Sequence, residues 1–412
     1  MVRMAEKLKF GAGIADWQER IDVHRLREER AAKMRAVLRE RSVPAILAAR
    51  PENTRYLTGL KGPEFQPQLW YVLFFAEHDP VVFHHAGWIH FYPSQAPWIK
   101  QWRLARASFG GCGPAAQQEE SALFAEGIYR ELAERGLAGE PLGVVGFDGR
   151  SQQALAAKGL QTTDGWALML EATRTKTVDE INCLKLAFAM TDGAWYRTWE
   201  ALRPGAIDSA VSVAAREGAL AAGAEEVPTM HLRSGTISFD RAYSGTGRMM
   251  SYGDLVYGAY CGVDYMGYKT CYYRTFCVGR EPTAQEQDWY KVLVERLDRV
   301  IDAIKPGNTT ADAAQYFPPA SKWGYQDEAE LLTLEIGHGI GMYAYGYPII
   351  NRQWSLQHPT PFEVGMTIAI EGREGEPGHG GVRLEDAVVV TEDGCELIDH
   401  WPRDEILAAP LR

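Results

Sequence analysis

Toward the carboxyl end of the sequence a histidine and two glutamates interrupt stretches that are otherwise apolar or glycine-rich. His338 lies within Glu335-Ile336-Gly337-His338-Gly339-Ile340-Gly341, Glu371 follows the apolar run Met366 to Ile370, and Glu385 precedes Asp386 to Val390. Burying a carboxylate is costly unless it is paired, protonated or bound to a metal. Taken singly, each glutamate reads as a strand-end carboxylate facing water. Taken together, an imidazole and two acids have the makings of a metal site or of an acid–base apparatus. One of the glutamates would then serve as general base, with His338 as acid or orienting group. Tyr243, Tyr260, Cys271, Tyr273, Tyr343 and Tyr345 are candidates to edge the same pocket. The tyrosines read either as substrate-binding and oxyanion-stabilising groups or as core filler. Cys271 reads as a small buried hydrophobe, since no activating base can be named for it.

These residues need strands to carry them and helices to cover the strands. Gly253 to Tyr260, Tyr273 to Phe276, Gly365 to Glu371 and Val382 to Val390 have the apolar character of buried strands. A helix is expected from Val178 to a breaker at Arg203-Pro204-Gly205, with Asp179 and Glu180 in its first turn, where acids suit the helix dipole. A second runs from Trp289 to Ile304 and stops at Lys305-Pro306-Gly307. Each breaker is followed by a polar stretch and an Ala-rich segment, which suggests a duplicated helix–breaker–helix unit beside a curved sheet. Upstream, a helix over 17–42, strands at Ala45 to Ala49, Trp70 to Ala76 and Pro80 to His84, a helix around Glu120 to Arg135 and a strand at Leu142 to Phe147 alternate as in an α/β domain. The boundary is placed near Glu171, giving domains of 1–170 and 171–412.

The whole chain fits two such domains. Its 412 residues exceed one ordinary core, and 46% hydrophobic with 24% charged residues is a globular composition. A net charge of −11 argues against nucleic acid as a partner. The six cysteines form no CxxC pair, which fits a reducing, cytoplasmic setting. The amino terminus has no apolar core of a signal peptide, and no run of about eighteen apolar residues suggests a membrane span.

The segments GHGIG, GMTIAIEG and GVRLEDAVVVTEDG, in this order, resemble the closing motifs of the creatinase/aminopeptidase P family. Arg174 to Ile181 resembles that family's domain-entry signature, and Tyr268 with Arg274-Thr275-Phe276 matches a further motif. The resemblance covers residues 171–400 and extends loosely to the amino-terminal region. It implies a small creatinase-like α/β domain followed by a pita-bread α/β domain, and a homodimer. In metal-using members two aspartates, a histidine and two glutamates hold a pair of ions. Here the histidine and glutamates match at His338, Glu371 and Glu385, whereas the aspartate positions hold Tyr260 and Cys271. Two accessory histidine positions fall at Ala242 or Tyr243 and at Tyr345.

Losing two anionic bridging ligands removes most of the affinity for a second ion. The expectation is therefore no metal, or one divalent or trivalent ion on His338, Glu371 and Glu385, and no dinuclear centre. His338, Glu371, Glu385, Tyr260 and Cys271 are the expected catalytic residues. Tyr243, Tyr273, Tyr343 and Tyr345 are expected to bind substrate, as is Arg352 if it clamps a carboxylate rather than forming a surface salt bridge. The resemblance adds Phe65, Gln66 and Trp70. The expected function is hydrolysis of a C–N bond in a small molecule. The alternatives are a lyase resembling the dimethylsulfoniopropionate lyase of this fold, an Xaa-Pro metallopeptidase, and a non-catalytic binding protein.

Overall fold

The structure, a computed structural model, describes residues 21–62, 69–106, 112–241, 245–331, 335–409 and 411. It divides into two compact units, 23–173 and the remainder from Arg174.

The amino-terminal unit is built on a six-stranded sheet. Its strands are β1 (Ala45–Ala49), β2 (Trp70–Phe75), β3 (Val81–His84), β4 (Gln101–Leu104), β5 (Leu142–Val145) and β6 (Thr162–Asp164), in the order β4-β3-β2-β1-β5-β6. β1 to β3 pair antiparallel in sequence order, while β5 and β6 join parallel after the helices Pro114–Ala133 and Gly149–Ala157. β1 and β2 are buried along their full length, as their unbroken apolar runs require. Leu47, Leu73 and Phe75 pack with Phe124, Ile128 and Leu132 of the long helix to make the core. The helix Val23–Glu40 buries the stripe Leu26, Met34 and Leu38 anticipated from its spacing.

The second unit carries a nine-stranded sheet with the path β13-β12-β14-β15-β11-β8-β7. These strands are β7 (Thr229–Ser234), β8 (Leu255–Cys261), β11 (Tyr273–Val278), β12 (Ile336–Gly339), β13 (Gly346–Ile350), β14 (Thr367–Glu376) and β15 (Gly380–Val390). Two short strands, β9 (Asp264–Tyr265) and β10 (Tyr268–Lys269), form a hairpin between β8 and β11. β16 (Cys395–Leu397) and β17 (Leu407–Ala409) attach to β15 and β11. The helix Val178–Ala201 starts at a capping box formed by Thr177 and Glu180, and Ala284–Ala303 starts at one formed by Thr283 and Glu286. Leu293, Leu297 and Val300 of the second helix pack on Ile368, Ile370, Leu384 and Val388. The paired breakers are both present, but the Ala-rich segment after the second forms only the single turn Thr310–Ala314, against fourteen residues at Asp208–Ala221. Among the described residues no helix is long and apolar enough to cross a membrane.

β11 and β15 are locked together by Arg274. Its buried guanidinium lies 3.0 Å from Asp386 and 2.7 Å from Asp399, and donates to the Glu385 carbonyl at 2.6 Å. Removing the cation would leave Asp399 without a cationic partner and Asp386 with Arg403 alone. Arg274→Met is expected to cost about 3–5 kcal/mol in urea denaturation, the range for breaking a buried pair from one side.

Glu335, just before β12, is buried near Arg296 (3.5 Å) and accepts the Arg373 amide at 3.3 Å. Burial pushes its carboxyl from 4.5 up to about 7. The folded state therefore holds this proton more tightly than the unfolded chain does. Its contribution to stability is largest below about pH 4.5 and is lost as pH rises to about 7. Glu335→Gln should flatten the pH dependence of unfolding free energy across that window, by on the order of 1–3 kcal/mol.

Candidate active site

The candidate residues occupy one face of the second sheet because of strand register. Ile336 pairs with Glu371, Glu371 with Glu385, and Glu385 with Tyr273. Residues directly opposed across antiparallel strands share a face, so the two glutamates and Tyr273 form a row. His338, two residues beyond Ile336, points to the same face. Both glutamates stand in the interior of ten- and eleven-residue strands and are fully buried. The strand-end, water-facing alternative therefore fails: the strands continue through each acid.

His338 Nε2 lies 3.4 Å from Glu385 Oε1. The Tyr345 ring stacks on the imidazole at 3.7 Å between centroids, and its hydroxyl donates to Glu371 Oε1 at 3.3 Å. Arg241 Nη2 donates to the Tyr345 hydroxyl at 3.4 Å. Burial pushes the Glu371 carboxyl up to about 7, with Glu385 adding to the push, and carries Glu385 up to about 8. Burial also lowers the His338 pKa, so the imidazole is held neutral. Of these groups His338 and the glutamates are sealed, while Tyr345 reaches solvent at 39% exposure.

The glycines around His338 are steric requirements. A Cβ on Gly339 would meet the Tyr347 carbonyl oxygen at 2.1 Å, because β12 and β13 slip register between His338 and Gly339 and the backbones close on one another. A Cβ on Gly337 would meet only the Ile350 side chain, at 3.0 Å.

Cys271 also joins the site, although not alone. Cys261 and Cys271 oppose each other across the β8–β11 pair, between the bonds Tyr260 N to Tyr272 O and Gly262 N to Thr270 O. Their sulfurs are 2.6 Å apart, and with a Glu385 oxygen they form a cluster of ligand atoms all within 4.8 Å of one another. Tyr260 corrects the expectation. As neighbour of Cys261 on a pleated strand it faces the other side of the sheet, where its ring stacks on Trp195 at 3.8 Å and its hydroxyl bonds Thr198. Arg352 takes the salt-bridge alternative: its guanidinium donates to Glu328 at 3.1 Å and to the Phe317 carbonyl. Tyr343 is buried in the β12–β13 connection, and Tyr273 is buried within β11. Trp70 lies in β2 of the amino-terminal unit, buried near His84. Tyr243, Phe65 and Gln66 lie outside the described residues.

Sequence reasoning missed Cys261 and Arg241. Cys261 was legible in principle, because two cysteines flanking a hairpin are candidates for opposed positions. Arg241 carried no such signal.

A substitution test follows from the glycines. Gly339→Ala is expected to cost about 1–3 kcal/mol or more in thermal or urea unfolding. Gly337→Ala, opposed only by a movable side chain, should cost distinctly less, and equal losses would contradict the close backbone approach.

Comparison with known proteins is consistent with this arrangement. The model of metallopeptidase family M24 matches residues 182–392, just over half the chain. A probable dipeptidase PepE of Mycobacterium tuberculosis (strain ATCC 25618 / H37Rv) is 31% identical over 238 residues, 57% of this chain and 61% of its own length. The chain thus spans about three-fifths of the length of that relative. Among solved structures, dipeptidase PepE from Mycobacterium ulcerans has a TM-score of 0.74 at 22% identity, covering 95% of this chain and 100% of that one. Xaa-Pro dipeptidase from Bacillus anthracis has a TM-score of 0.74 at 22% identity, covering 92% and 99%. Matched by its family model over the stretch that carries His338, Glu371 and Glu385, and by its fold over nearly its full length, the chain belongs to metallopeptidase family M24, in the creatinase/aminopeptidase P superfamily of pita-bread proteins.

Proposed function

We propose that this site hydrolyses an amide-type C–N bond in a short peptide or a similarly small compound. The observation that carries the reading is the placement of Glu371 beside Glu385, both buried, with His338 Nε2 3.4 Å from the second acid. The dipeptidase names of the relatives support the substrate class. The donors present do not fit the family's pair of hard ions. One aspartate position holds Tyr260, turned to Thr198, and the other holds the Cys271 thiol.

The chemistry available to the chain's own side chains is acid–base. Glu371, with a proton affinity near neutrality, can accept a proton from water attacking the carbonyl carbon. The Tyr345 hydroxyl, supported by Arg241, can donate to the oxygen that becomes negative. When the C–N bond breaks, the proton held on Glu371 can pass to the departing nitrogen, so that water is consumed and an acid and an amine are formed. His338, neutral and stacked under Tyr345, keeps the ring and the Glu385 carboxyl in place.

The test is a substrate panel of Xaa-Pro dipeptides, other dipeptides, small amides, amidines and a sulfonium acid, run on the full chain. Hydrolysis of a peptide or amide is expected, and Glu371→Gln should reduce turnover about 100- to 10,000-fold while ligand binding persists. Elimination from the sulfonium acid without amide hydrolysis would place the chain among lyases. Binding without turnover of any compound would make it a binding protein.

A further inference from the structure

The pair Cys261 and Cys271 has no part in the acid–base chemistry, yet it lies against it. The Sγ atoms of both cysteines and an oxygen of Glu385 fall within 4.8 Å of one another, and His338 Nε2 is 3.4 Å from Glu385 Oε1. Cys271, Glu385 and His338 are fully buried. Among the described residues His338 Nε2 has no hydrogen-bond partner, and the Glu385 carboxyl has none beyond the Cys271 thiol beside it. Buried polar atoms left in this state are rare and call for a missing partner.

We propose that Cys261, Cys271, Glu385 and His338 form a site for a single thiophilic divalent ion of the zinc class, in place of the family's pair of carboxylate-bound ions. Two arguments favour it. First, a tetrahedral ion with oxygen and nitrogen ligands at about 2.0–2.2 Å sets those two ligand atoms about 3.4 Å apart, the spacing seen between Glu385 and His338. The sulfurs, at 2.6 Å, would have to part by about 1 Å to reach the edge of such a tetrahedron, which rotation about each Cα–Cβ bond can supply. Second, the rival explanations for the sulfur contact are a thiol–thiol hydrogen bond and a cystine, and neither gives His338 Nε2 a partner. A Cys261–Cys271 bond would satisfy the two sulfurs and leave Glu385 and His338 as orphaned as before. One ion on the two sulfurs and a Glu385 oxygen satisfies that cluster, and His338 Nε2, outside the 4.8 Å group but 3.4 Å from Glu385 Oε1, would draw in to complete the fourth position. The donor types point the same way: two thiols select zinc-class ions over magnesium, calcium or manganese. Glu371, one strand over, is left as the acid that the ion does not occupy, so ion binding and amide hydrolysis can be tested separately.

The experiment uses the full chain purified under reducing conditions without chelator, with metal content measured by mass spectrometry. About one zinc per chain is expected. After exchange to cobalt(II), the protein should show an intense thiolate-to-metal absorption band. Cys261→Ser and Cys271→Ser should each abolish that band and weaken binding about 100-fold or more, at least the loss typical of changes to the supporting shell of a metal site. Cys395→Ser should leave both unchanged. Circular dichroism of each variant separates lost ligation from lost folding, and Cys261→Ala provides a second variant should one misfold. Two ions per chain that survive both cysteine substitutions would overturn the inference. So would a Cys261–Cys271 disulfide in the reduced preparation with no bound ion. Hydrolysis is tested separately, by the Glu371→Gln turnover assay.

Discussion

Two carboxylates set side by side in a dry interior are the constraint around which the second unit is organised. Glu371 and Glu385 are directly paired on adjacent strands, both fully buried. Neither can ionise freely there, since burial and mutual repulsion both favour the proton. The surroundings moderate this without cancelling it. Arg241 sits close enough to be drawn to Glu371, Tyr345 donates to one glutamate, and His338 abuts the other. The result is a pair of acids whose proton affinity lies near neutrality, the condition under which a carboxyl can both take and return a proton in one reaction cycle.

Maintaining that arrangement takes much of the second unit. β14 and β15 are long because both acids must be interior to them. The helix Ala284–Ala303 covers the apolar side of these strands, so that the opposite side is left for chemistry. Arg274 fixes β11 to β15 through Asp386, Asp399 and the Glu385 carbonyl, and thereby fixes the backbone that carries one of the two acids. Gly339 lets β13 approach closely enough to complete the sheet beside His338.

Much of this was written in local sequence. The apolar runs around Glu371 and Glu385 announced buried strands, and the breakers at Arg203-Pro204-Gly205 and Lys305-Pro306-Gly307 marked helix ends. What local sequence did not carry was parity. Whether residue 260 or residue 261 faces the acids depends on how β8 pairs with β11, and a shift of one residue exchanges the faces. The pairing places Cys261 opposite Cys271 and turns Tyr260 toward Trp195, so the spacing that pointed to Tyr260 selected the wrong neighbour. Between the two readings of Arg352, local sequence could not choose. A long cation can be claimed by any acid within reach, and Glu328, twenty-four residues away in sequence, reaches it first.

The replacement of bridging aspartates by groups of another chemistry is the point on which the account of this site turns. It is tested most directly by an anomalous-difference map from crystals of the zinc-loaded protein, recorded on both sides of the zinc absorption edge. One peak per chain is expected, bounded by the Cys261 and Cys271 sulfurs, a Glu385 oxygen and His338 Nε2. Two peaks bridged by Glu371 and Glu385, with the sulfurs outside both coordination shells, would contradict it.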